Sequence, residues 1–596
     1  MFQDCERIID KKFKSWTPGL ALKTSLEPIK DLRDAVTKQL LKKESGIITH
    51  TARAVAAETI TMAGIKIASK SNEPLFISVV NEEILSEAET QGLRSPIMHK
   101  LICPINLRQR IESHGALKPA HARLLIKLTI KESALASEGV WPKIRPEEKL
   151  FLPELMFYPE ICSKHKCPTW ENIKQLKNIK KSAILGTHSD YWSARHELLP
   201  SKYKLLLVDF DEAVDMLAKI LEIKLTVDYL PAFADALKYI LATEIKGSEI
   251  GVSEILNDLV IKNDLFWGLL QIHYQTDLEN TNQYHISTQN QQEPEWRKLM
   301  TSASRVQNLM ENLSSNLIDA KSSNIKAYGY FIKKQAGKWK KLIEGGQNFH
   351  TYIEKGNSGL LNIKLAPSFT MLADKFSKTV PSVTLLTIAT GADSVTFHYT
   401  NSLGINDWPV TTIDLSRGKG RASLKTVKSH QKELDLVLKI LLENQFQKAA
   451  VIAKNAREAI LIAEHLTSAL GENTRILHLA QGGANKIIYN FAREARAVLV
   501  MTPRGRALSL PWPMIDLAII ASIPFPAPDQ VSDFMNGAFP KAMLAYKTLL
   551  TKLLGSGQPD LRIFMIDGRL TRQNYGQNFI SLAEELCGCK SEYLNM

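Results

Sequence analysis

Two adjacent carboxylates follow an apolar run in the first half of this chain. Residues 205–208, Leu-Leu-Leu-Val, are followed almost at once by Asp211 and Glu212. A short, continuous apolar run of this kind is typical of a buried strand. Carboxylates at the end of such a strand can hold Mg²⁺ and activate a bound water molecule. The sequence therefore predicts a magnesium–water site built on Asp211 and Glu212.

Three of the six cysteines form a second group of residues that could do chemistry. Cys162 and Cys167 are separated by four residues, and Cys103 precedes them. Thiolate clusters of iron and sulfur take four ligands, and no fourth cysteine follows before the next apolar run, so we expect no intact iron–sulfur cluster. His165 offers an alternative zinc site with the three cysteines, and three thiols without metal are the remaining alternative. Cys587 and Cys589 are too isolated in the sequence to indicate a site.

A third pattern combines cations with an aromatic ring. Residues 331–342 place five lysines around Trp339: Lys333, Lys334, Lys338, Lys340 and Lys341. Basic grooves with stacking aromatics bind single-stranded nucleic acid, so this segment is a candidate strand-binding surface. Residues 173–181 add four lysines at roughly helical spacing. For both segments a solvated helix face is the alternative.

The composition agrees with a polyanionic partner. The 596 residues carry a formal net charge of +13, and neutralising phosphates with Lys and Arg favours nucleic-acid binding, although a dispersed surplus for solubility gives the same number. The apolar content of 44% is that of a globular protein. No apolar run is long enough to span a membrane, and the first residues lack the apolar core of a signal peptide. The low number of cysteines favours a reducing compartment. We therefore expect a cytoplasmic protein with no membrane contact.

Apolar runs separated by helical patterns must position these residues, and they predict two α/β domains with parallel sheets. The runs of the first set lie at 47–48, 74–80, 181–188, 203–210 and 382–390, and those of the second at 449–454, 475–480, 496–502, 516–525 and 562–567. The first domain would comprise residues 1–95, 181–227 and 371–404, with inserts at 96–180 and 228–370. The second insert has a mostly helical pattern, with an Asn/Gln-rich loop at 281–296. The second domain would span 405–596.

The ordered motifs resemble those of the DinG/XPD-like DNA helicases of superfamily 2, including the CRISPR type IV-associated DinG subgroup. The resemblance rests on Thr187-His188 at the end of one run, Asp-Glu-Ala-Val at 211–214, and Thr387, Ala389 and Thr390 in a Thr-Ile-Ala-Thr segment. In the second half it rests on Gln-Gly-Gly at 481–483, Pro-Phe-Pro-Ala-Pro at 524–528, and an Asp567-x-Arg569 segment followed by Tyr575-Gly576. These pieces cover nearly the whole chain.

The resemblance implies two RecA-like domains, the first interrupted by a vestigial iron–sulfur-type insert and a helical arch-type insert. It implies ATP and Mg²⁺ as cofactors, with Asp211 as the magnesium residue and Glu212 polarising the attacking water. Single-stranded or forked DNA would cross both domains with 5′ to 3′ polarity, and a CRISPR ribonucleoprotein would be a partner. Residues near the nucleic acid would be His188, Thr387, Thr390, Arg504, Arg506 and the lysine-rich segment around Trp339.

The sequence departs from the family pattern at the phosphates. The phosphate loop aligns with residues 44–56, where Gly46 keeps its place, His50 replaces a glycine, Thr51 the lysine and Ala52 the hydroxyl residue. The candidate nucleotide-binding residues of this segment are Gly46, Thr49, His50 and Thr51. On the arginine-bearing helix, Lys552 and Gly555 replace the two arginines. Lysine is a poor substitute for a planar guanidinium clamp. Both sides of the expected cleft have therefore lost phosphate-binding groups.

Two hypotheses follow, and they belong to different classes. The first is an ATP-driven helicase that unwinds or remodels duplexes. The second is a helicase fold that binds nucleic acid or a ribonucleoprotein with little or no ATP turnover. A basic scaffold unrelated to helicases is a third hypothesis, which the ordered motifs disfavour.

Overall fold

The structure is a computed structural model, and it describes most of the chain in separate ranges. These ranges are 34–36, 38–40, 45–50, 73–79, 102–112, 117–134, 144–163, 167–177, 183–193, 203–208, 210–244, 250–278, 283–346, 348–356, 359–379, 383–388, 400, 403–405, 407–413, 422–428, 433–471, 473–478, 484–503, 515–525, 538–554 and 560–595.

Seventeen strands occur in these ranges, and they form three sheets. In chain order they are β1 (Gly46–His50), β2 (Leu75–Val79), β3 (Ala183–Thr187), β4 (Lys204–Val208), β5 (Ile223–Thr226), β6 (Gln283–Ile286), β7 (Phe349–Lys355), β8 (Leu361–Pro367), β9 (Val383–Ile388), β10 (Val410–Ile413), β11 (Ser423–Lys428), β12 (Lys448–Ile452), β13 (Arg475–His478), β14 (Ala497–Met501), β15 (Leu517–Ile520), β16 (Arg562–Met565) and β17 (Glu592–Asn595).

Eighteen α-helices have defined ends in the same ranges, in addition to helical residues at 34–36, 38–40, 400 and 403. They are α1 (Pro104–Glu112), α2 (Pro119–Ala134), α3 (Pro146–Lys149), α4 (Pro159–Cys162), α5 (Pro168–Lys177), α6 (His188–Ser193), α7 (Phe210–Leu221), α8 (Tyr229–Glu244), α9 (Ile250–Tyr274), α10 (Pro294–Ile318), α11 (Ser323–Glu344), α12 (Phe369–Thr379), α13 (Glu433–Glu443), α14 (Ala456–Leu470), α15 (Ala484–Arg493), α16 (Phe539–Leu554), α17 (Arg569–Arg572) and α18 (Gly576–Cys587). Short 3₁₀ turns lie at Pro153–Leu155, Thr276–Leu278 and Asn290–Gln292.

The first sheet has six parallel strands in the order β10-β1-β9-β4-β2-β3. Every residue of β4 is buried, as expected for a central parallel strand that is covered on both faces. Parallel strands all present their carboxyl ends at one edge of the sheet, where ligands of open α/β folds bind. The turns after β1, β3, β4 and β9 therefore leave the sheet at one common edge.

The second sheet has seven parallel strands in the order β13-β14-β12-β15-β16-β11-β17. Its central strands β12, β14 and β15 are buried throughout because their sequences are almost wholly apolar. After β12 the chain turns into α14, where Asn455 Oδ1 accepts a hydrogen bond from the Glu458 N–H at 2.9 Å and caps the helix. Strand, tight turn and capped helix thus repeat the α/β design of the first sheet.

The second insert combines long helices with an antiparallel sheet in the order β5-β8-β7-β6. Its central feature is the antiparallel helix pair α10 and α11, which approach closely at Gly329. A Cβ atom on Gly329 would lie 2.8 Å from the backbone nitrogen of Ile318, so only glycine fits there. The chain enters this sheet through β5 and leaves through β8, and the two strands pair directly, with Ile223 opposite Leu365.

The strand predictions are confirmed for both α/β sheets, and the structure adds three corrections. Strand β10 pairs with β1, so the first sheet extends past residue 404 and the second domain begins later than residue 405. The insert expected at 228–370 contains strands β6, β7 and β8 as well as helices, and β6 falls in the Asn/Gln-rich segment expected to be a loop. Strands β11 and β17 were not predicted. Among the described residues, no helix combines the length and the apolar character that crossing a bilayer requires.

Candidate functional site

The two carboxylates lie in the first turn of a helix at the carboxyl edge of the first sheet. Strand β4 ends at Val208 and α7 begins at Phe210, so Asp211 and Glu212 occupy the first turn of the helix. Phe210, Ala213 and Val214 are buried against the sheet, whereas Glu212 is only half-buried. The side chain of Asp211 lies outside the described residues. The helix is therefore anchored by its apolar face, and a carboxylate lies at its amino-terminal end, where the helix dipole favours negative charge.

A tryptophan on the neighbouring helix fixes this turn. The indole Nε1 of Trp192 in α6 donates a hydrogen bond to the backbone oxygen of Ala213 at 2.8 Å. Beside it, the Tyr191 and Tyr203 hydroxyl groups lie 3.2 Å apart, and burial raises the pKa of Tyr191 well above its usual value. Sequence reasoning did not identify Trp192, because its partner lies 21 residues away in the next strand–helix unit.

His188 closes β3 and is held by the adjacent strand. Its Nδ1 lies 2.7 Å from the Oγ of Ser78 in β2, and the histidine is only 2% exposed. A side chain with this burial offers almost no surface to a nucleic-acid strand, so the expected contact of His188 with nucleic acid does not fit the structure. The geometry instead makes His188 a link between the ends of β2 and β3. Ser78 was not predicted, since nothing marks one serine in a strand 110 residues away.

The structure corrects the placement of the phosphate loop. Gly46, Thr49 and His50 lie in β1, which is paired on both sides with β9 and β10. Amides committed to a sheet ladder cannot cradle phosphates, so these three residues do not form the loop. Thr51, which aligns with the lysine of the phosphate loop, lies outside the described residues. Between His50 and Lys66 the sequence holds a single Lys or Arg, Arg53, so the lysine is missing from this stretch.

The remaining expected nucleotide and coupling residues are only partly described. Thr387 lies in β9, opposite Thr49 of β1, at the carboxyl edge of the sheet. Lys552 lies in α16, with its side chain outside the described residues. Thr390, Arg504 and Arg506 also lie outside the described ranges, so their expected roles stay predictions.

After β16 in the second sheet, buried Asp567 forms an ion pair with the half-buried Arg569. Asp567 is 3% exposed; its Oδ2 accepts from the Ile523 N–H at 2.6 Å and from Arg569 Nη2 at 2.6 Å. Arg569 Nη2 also donates to Ser522 Oγ at 3.0 Å, and its guanidinium lies over the Phe525 ring. Burial and the nearby Asp567 carboxylate raise the pKa of Glu433. The pair therefore joins the ends of β15 and β16, and this gives the Asp-x-Arg motif a structural role.

The lysine-rich segment forms one face of α11, and the structure corrects the role of its aromatic residue. Lys333, Lys334, Lys340 and Lys341 are exposed, and Lys338 is half-buried with a pKa lowered by burial. Trp339 points the other way: it is 3% exposed, and its ring packs edge-on against Phe266 at 4.8 Å between centroids. A buried indole cannot stack on a base, so Trp339 belongs to the core of the insert and only the lysines can meet a nucleic acid.

The three cysteines of the first insert converge. Cys103, Cys162 and Cys167 are at most 3% exposed, and their sulfur atoms all lie within 4.8 Å of one another. Cys103 and Cys167 sulfurs are 3.8 Å apart. Within the described ranges the group has three members, which does not complete the four-thiolate set of the family's iron–sulfur cluster. His165, the alternative zinc ligand, lies outside the described residues.

Comparisons with known proteins show which solved structures have a similar fold. No protein-family model matches the sequence, and a search of curated proteins finds no match. Among solved structures, an XPD helicase superposes with a TM-score of 0.52 at 11% identity, covering 95% of this chain and 99% of the helicase. S. tokodaii Xpd4 superposes with a TM-score of 0.48 at 12% identity, covering 95% of this chain and 99% of that chain. S. cerevisiae Dbp5 bound to RNA and ADP BeF3 superposes with a TM-score of 0.36 at 10% identity, covering 96% of this chain and 93% of that chain. The chain therefore shares the overall fold of the XPD helicase structure, with two RecA-like domains built on parallel sheets.

Proposed function

We propose that this chain is a helicase-family protein that binds single-stranded or forked DNA across its two RecA-like domains and remodels duplexes with ATP. The observation that carries the proposal is the turn from β4 to α7. It puts Asp211 and Glu212 in the first turn of a helix, at the sheet edge where β1 and β9 also end. This is the position from which a strand-end carboxylate can hold Mg²⁺ and polarise a water molecule for attack on a phosphate.

The residues divide the work in this proposal. Asp211 would bind Mg²⁺, and Glu212 would orient the attacking water and accept its proton, while ATP supplies the phosphoryl group that is transferred. Trp192 would hold the turn in place through Ala213. The exposed lysines of α11 would neutralise DNA phosphates.

The finer assignments rest on the motif resemblance alone. They are DNA as the nucleic acid, 5′ to 3′ polarity and a partner in a CRISPR type IV ribonucleoprotein. The cytoplasmic location rests instead on the low cysteine content of the sequence. The absence of an intact iron–sulfur cluster also stays a proposal, supported by the ligand count of three thiols.

A second candidate function is favoured by one specific observation. The chain directly after β1 has no lysine before Lys66, although a phosphate-binding loop needs this charge on the β- and γ-phosphates. A helicase fold with this loss would bind nucleic acid or a ribonucleoprotein and hydrolyse ATP slowly or not at all.

One experiment separates the two candidates. ATP hydrolysis and DNA binding are measured for the intact protein, for Glu212→Gln, and for Glu147→Gln, an exposed glutamate on a different element. For a motor, single-stranded DNA stimulates hydrolysis, and Glu212→Gln lowers the rate by at least about 100-fold while DNA affinity is kept. Equal background rates in all three proteins, with DNA binding retained, would establish the binding module. Loss of both activities in the intact protein would overturn both candidates.

A further inference from the structure

The buried cysteines of the first insert are arranged by three separate chain segments. Cys103 begins the segment that enters α1, and its N–H donates to the Leu155 oxygen at 2.8 Å. Cys162 ends α4, with its N–H bonded to the Tyr158 oxygen at 2.7 Å. Cys167 precedes α5, where the Glu171 N–H donates to its oxygen at 3.1 Å. Regular backbone hydrogen bonds therefore fix the position of each thiol.

Cross-links between the segments bring the thiols together. An isolated antiparallel bridge joins Ile102 to Met156, which ties the Cys103 segment to the one that carries Cys162. The hydroxyl of Thr169 donates to the Ile102 oxygen at 3.0 Å and ties the Cys167 segment to the same place. The convergence is thus built by the backbone of the insert and does not depend on the flexible ends of side chains.

The spacing of the sulfur atoms distinguishes one ion from a cluster. With a Zn–S bond of about 2.3 Å, two sulfurs of a tetrahedral site lie about 3.8 Å apart. Cys103 and Cys167 have this separation, and Cys162 lies within 4.8 Å of both. In a [4Fe–4S] cluster each thiolate binds a different iron atom, so the cysteine sulfurs must lie further apart. The distances fit a single ion.

The electrostatic surroundings also suit bound thiolates. Cys103 directly precedes α1 and Cys167 directly precedes α5, so both thiols lie at the amino-terminal end of a helix. The free N–H groups and the dipole of a first helical turn favour an anion such as a thiolate.

We propose that Cys103, Cys162 and Cys167 bind one zinc-class divalent ion in a tetrahedral three-thiolate site, in place of a four-cysteine iron–sulfur cluster. Binding releases the three thiol protons to solvent, and one small ligand such as water completes the coordination. The ion joins the segments of α1, α4 and α5 against the first sheet, since all three cysteines share a hydrophobic cluster with Phe76 and Ile184. The proposal is independent of the question whether ATP is hydrolysed.

The test measures metal content in the full-length protein. Zinc per chain is determined by mass spectrometry for the wild type, for Cys162→Ser and Cys167→Ser, and for the control Cys589→Ser, a half-buried cysteine in the second α/β domain. We expect about one zinc per chain in the wild type and the control, and at least about tenfold less in the two trio variants. Replacing zinc with Co²⁺ should give the strong visible bands of tetrahedral thiolate coordination, and these should be lost in the same two variants.

A second measurement tests the zinc site in the wild type alone, in case the cysteine variants do not fold. In the folded wild type, a thiol reagent should release zinc in step with modification of three cysteines, and a chelator should expose the same three. Wild-type protein without zinc and without the tetrahedral Co²⁺ bands would overturn the proposal. So would iron with acid-labile sulfide, or a Cys103–Cys167 disulfide found by peptide mapping.

Discussion

The indole nitrogen of Trp192 donates to the backbone oxygen of Ala213, and this 2.8 Å bond joins the helix after one strand to the carboxylate-bearing turn after another. The two residues lie at 8% and 0% exposure, so water does not compete for the bond. The position of Asp211 and Glu212 thus depends on a side chain outside their own motif.

Trp192→Phe tests this link. The change keeps an aromatic ring but removes the donor, so we expect a loss of about 1 kcal/mol in the free energy of unfolding, measured with urea. If the chain hydrolyses ATP, the rate should fall more than nucleotide affinity does. Trp408→Phe, a half-buried indole packed on Phe376, is the control and should leave the rate unchanged. Identical urea curves for wild type and Trp192→Phe would contradict the prediction.

The lysine face of α11 predicts salt-dependent DNA binding. Replacing Lys333, Lys334 and Lys341 with glutamate should weaken binding of a single-stranded oligonucleotide by at least about tenfold. It should also reduce the slope of log affinity against log salt by about 2, since each phosphate contact contributes about 0.7. Fluorescence anisotropy at several salt concentrations measures both quantities. The control replaces three other exposed lysines, Lys219, Lys378 and Lys590, with glutamate, so both triple variants have the same net charge. In the control, the slope of log affinity against log salt should equal that of the wild type.

Two glycines of one helix predict opposite effects on stability. Gly329→Ala introduces a Cβ atom 2.8 Å from the backbone of Ile318 and should lower the free energy of unfolding by about 1–3 kcal/mol. Gly337→Ala meets no atom within 4 Å and should stabilise the helix by up to about 1 kcal/mol. Thermal unfolding of both variants measures the contrast. A shift in the same direction for both would mean that α10 and α11 do not pack as described.

A buried lysine predicts how stability depends on pH. Lys547 in α16 is 2% exposed, and burial lowers its pKa from 10.5 to about 8, with Glu585 partly opposing the shift. Between about pH 8 and 10.5 the unfolded chain keeps a proton that the folded chain releases, so this residue makes the protein more stable as pH rises through that window. Below about pH 8 the cost of burying the charge is constant.

Lys547→Met should therefore be more stable than wild type near pH 7, by about 3 kcal/mol at most, and the difference should shrink between about pH 8 and 10.5. Urea unfolding at a series of pH values measures it. Lys541→Met, which removes a half-buried lysine from the same helix, is the control for the loss of one positive charge. A constant difference for Lys547→Met would be the contrary result.

The apolar runs made the two parallel sheets predictable, because a strand buried on both faces must be continuously apolar. The sheet of β5, β6, β7 and β8 was missed although β8 alternates apolar and polar residues, a pattern that predicts a half-buried strand. Strand β6 is mostly polar, and the pairing of β5 with β8 spans a long stretch of chain. Trp339 was misassigned although a signal existed. Ile332, Ala336 and Trp339 recur at helical spacing, and this pattern predicts one buried face.

Within the candidate site, the sequence identified the strand-end carboxylates and the three cysteines but could not show what surrounds them. The contact of His188 with Ser78 joins residues 110 positions apart, and no local pattern encodes it. The alignment by motif letters put the phosphate loop on residues 46–50 because it gave no weight to the apolar run 47–48. That run is the strand, and its ladder pairing excludes a loop.

The direct pairing of β5 with β8 has a consequence for how this chain can be taken apart. Ile223 and Leu365 lie side by side, so the polypeptide leaves and rejoins the first RecA-like domain at one point. A tight two-residue turn is enough to close such an antiparallel pair. The segment between β5 and β8 can therefore be cut out at one point of the backbone, but the cut would also break its contacts with the first insert, where the Tyr328 hydroxyl donates to the Leu150 oxygen at 3.3 Å.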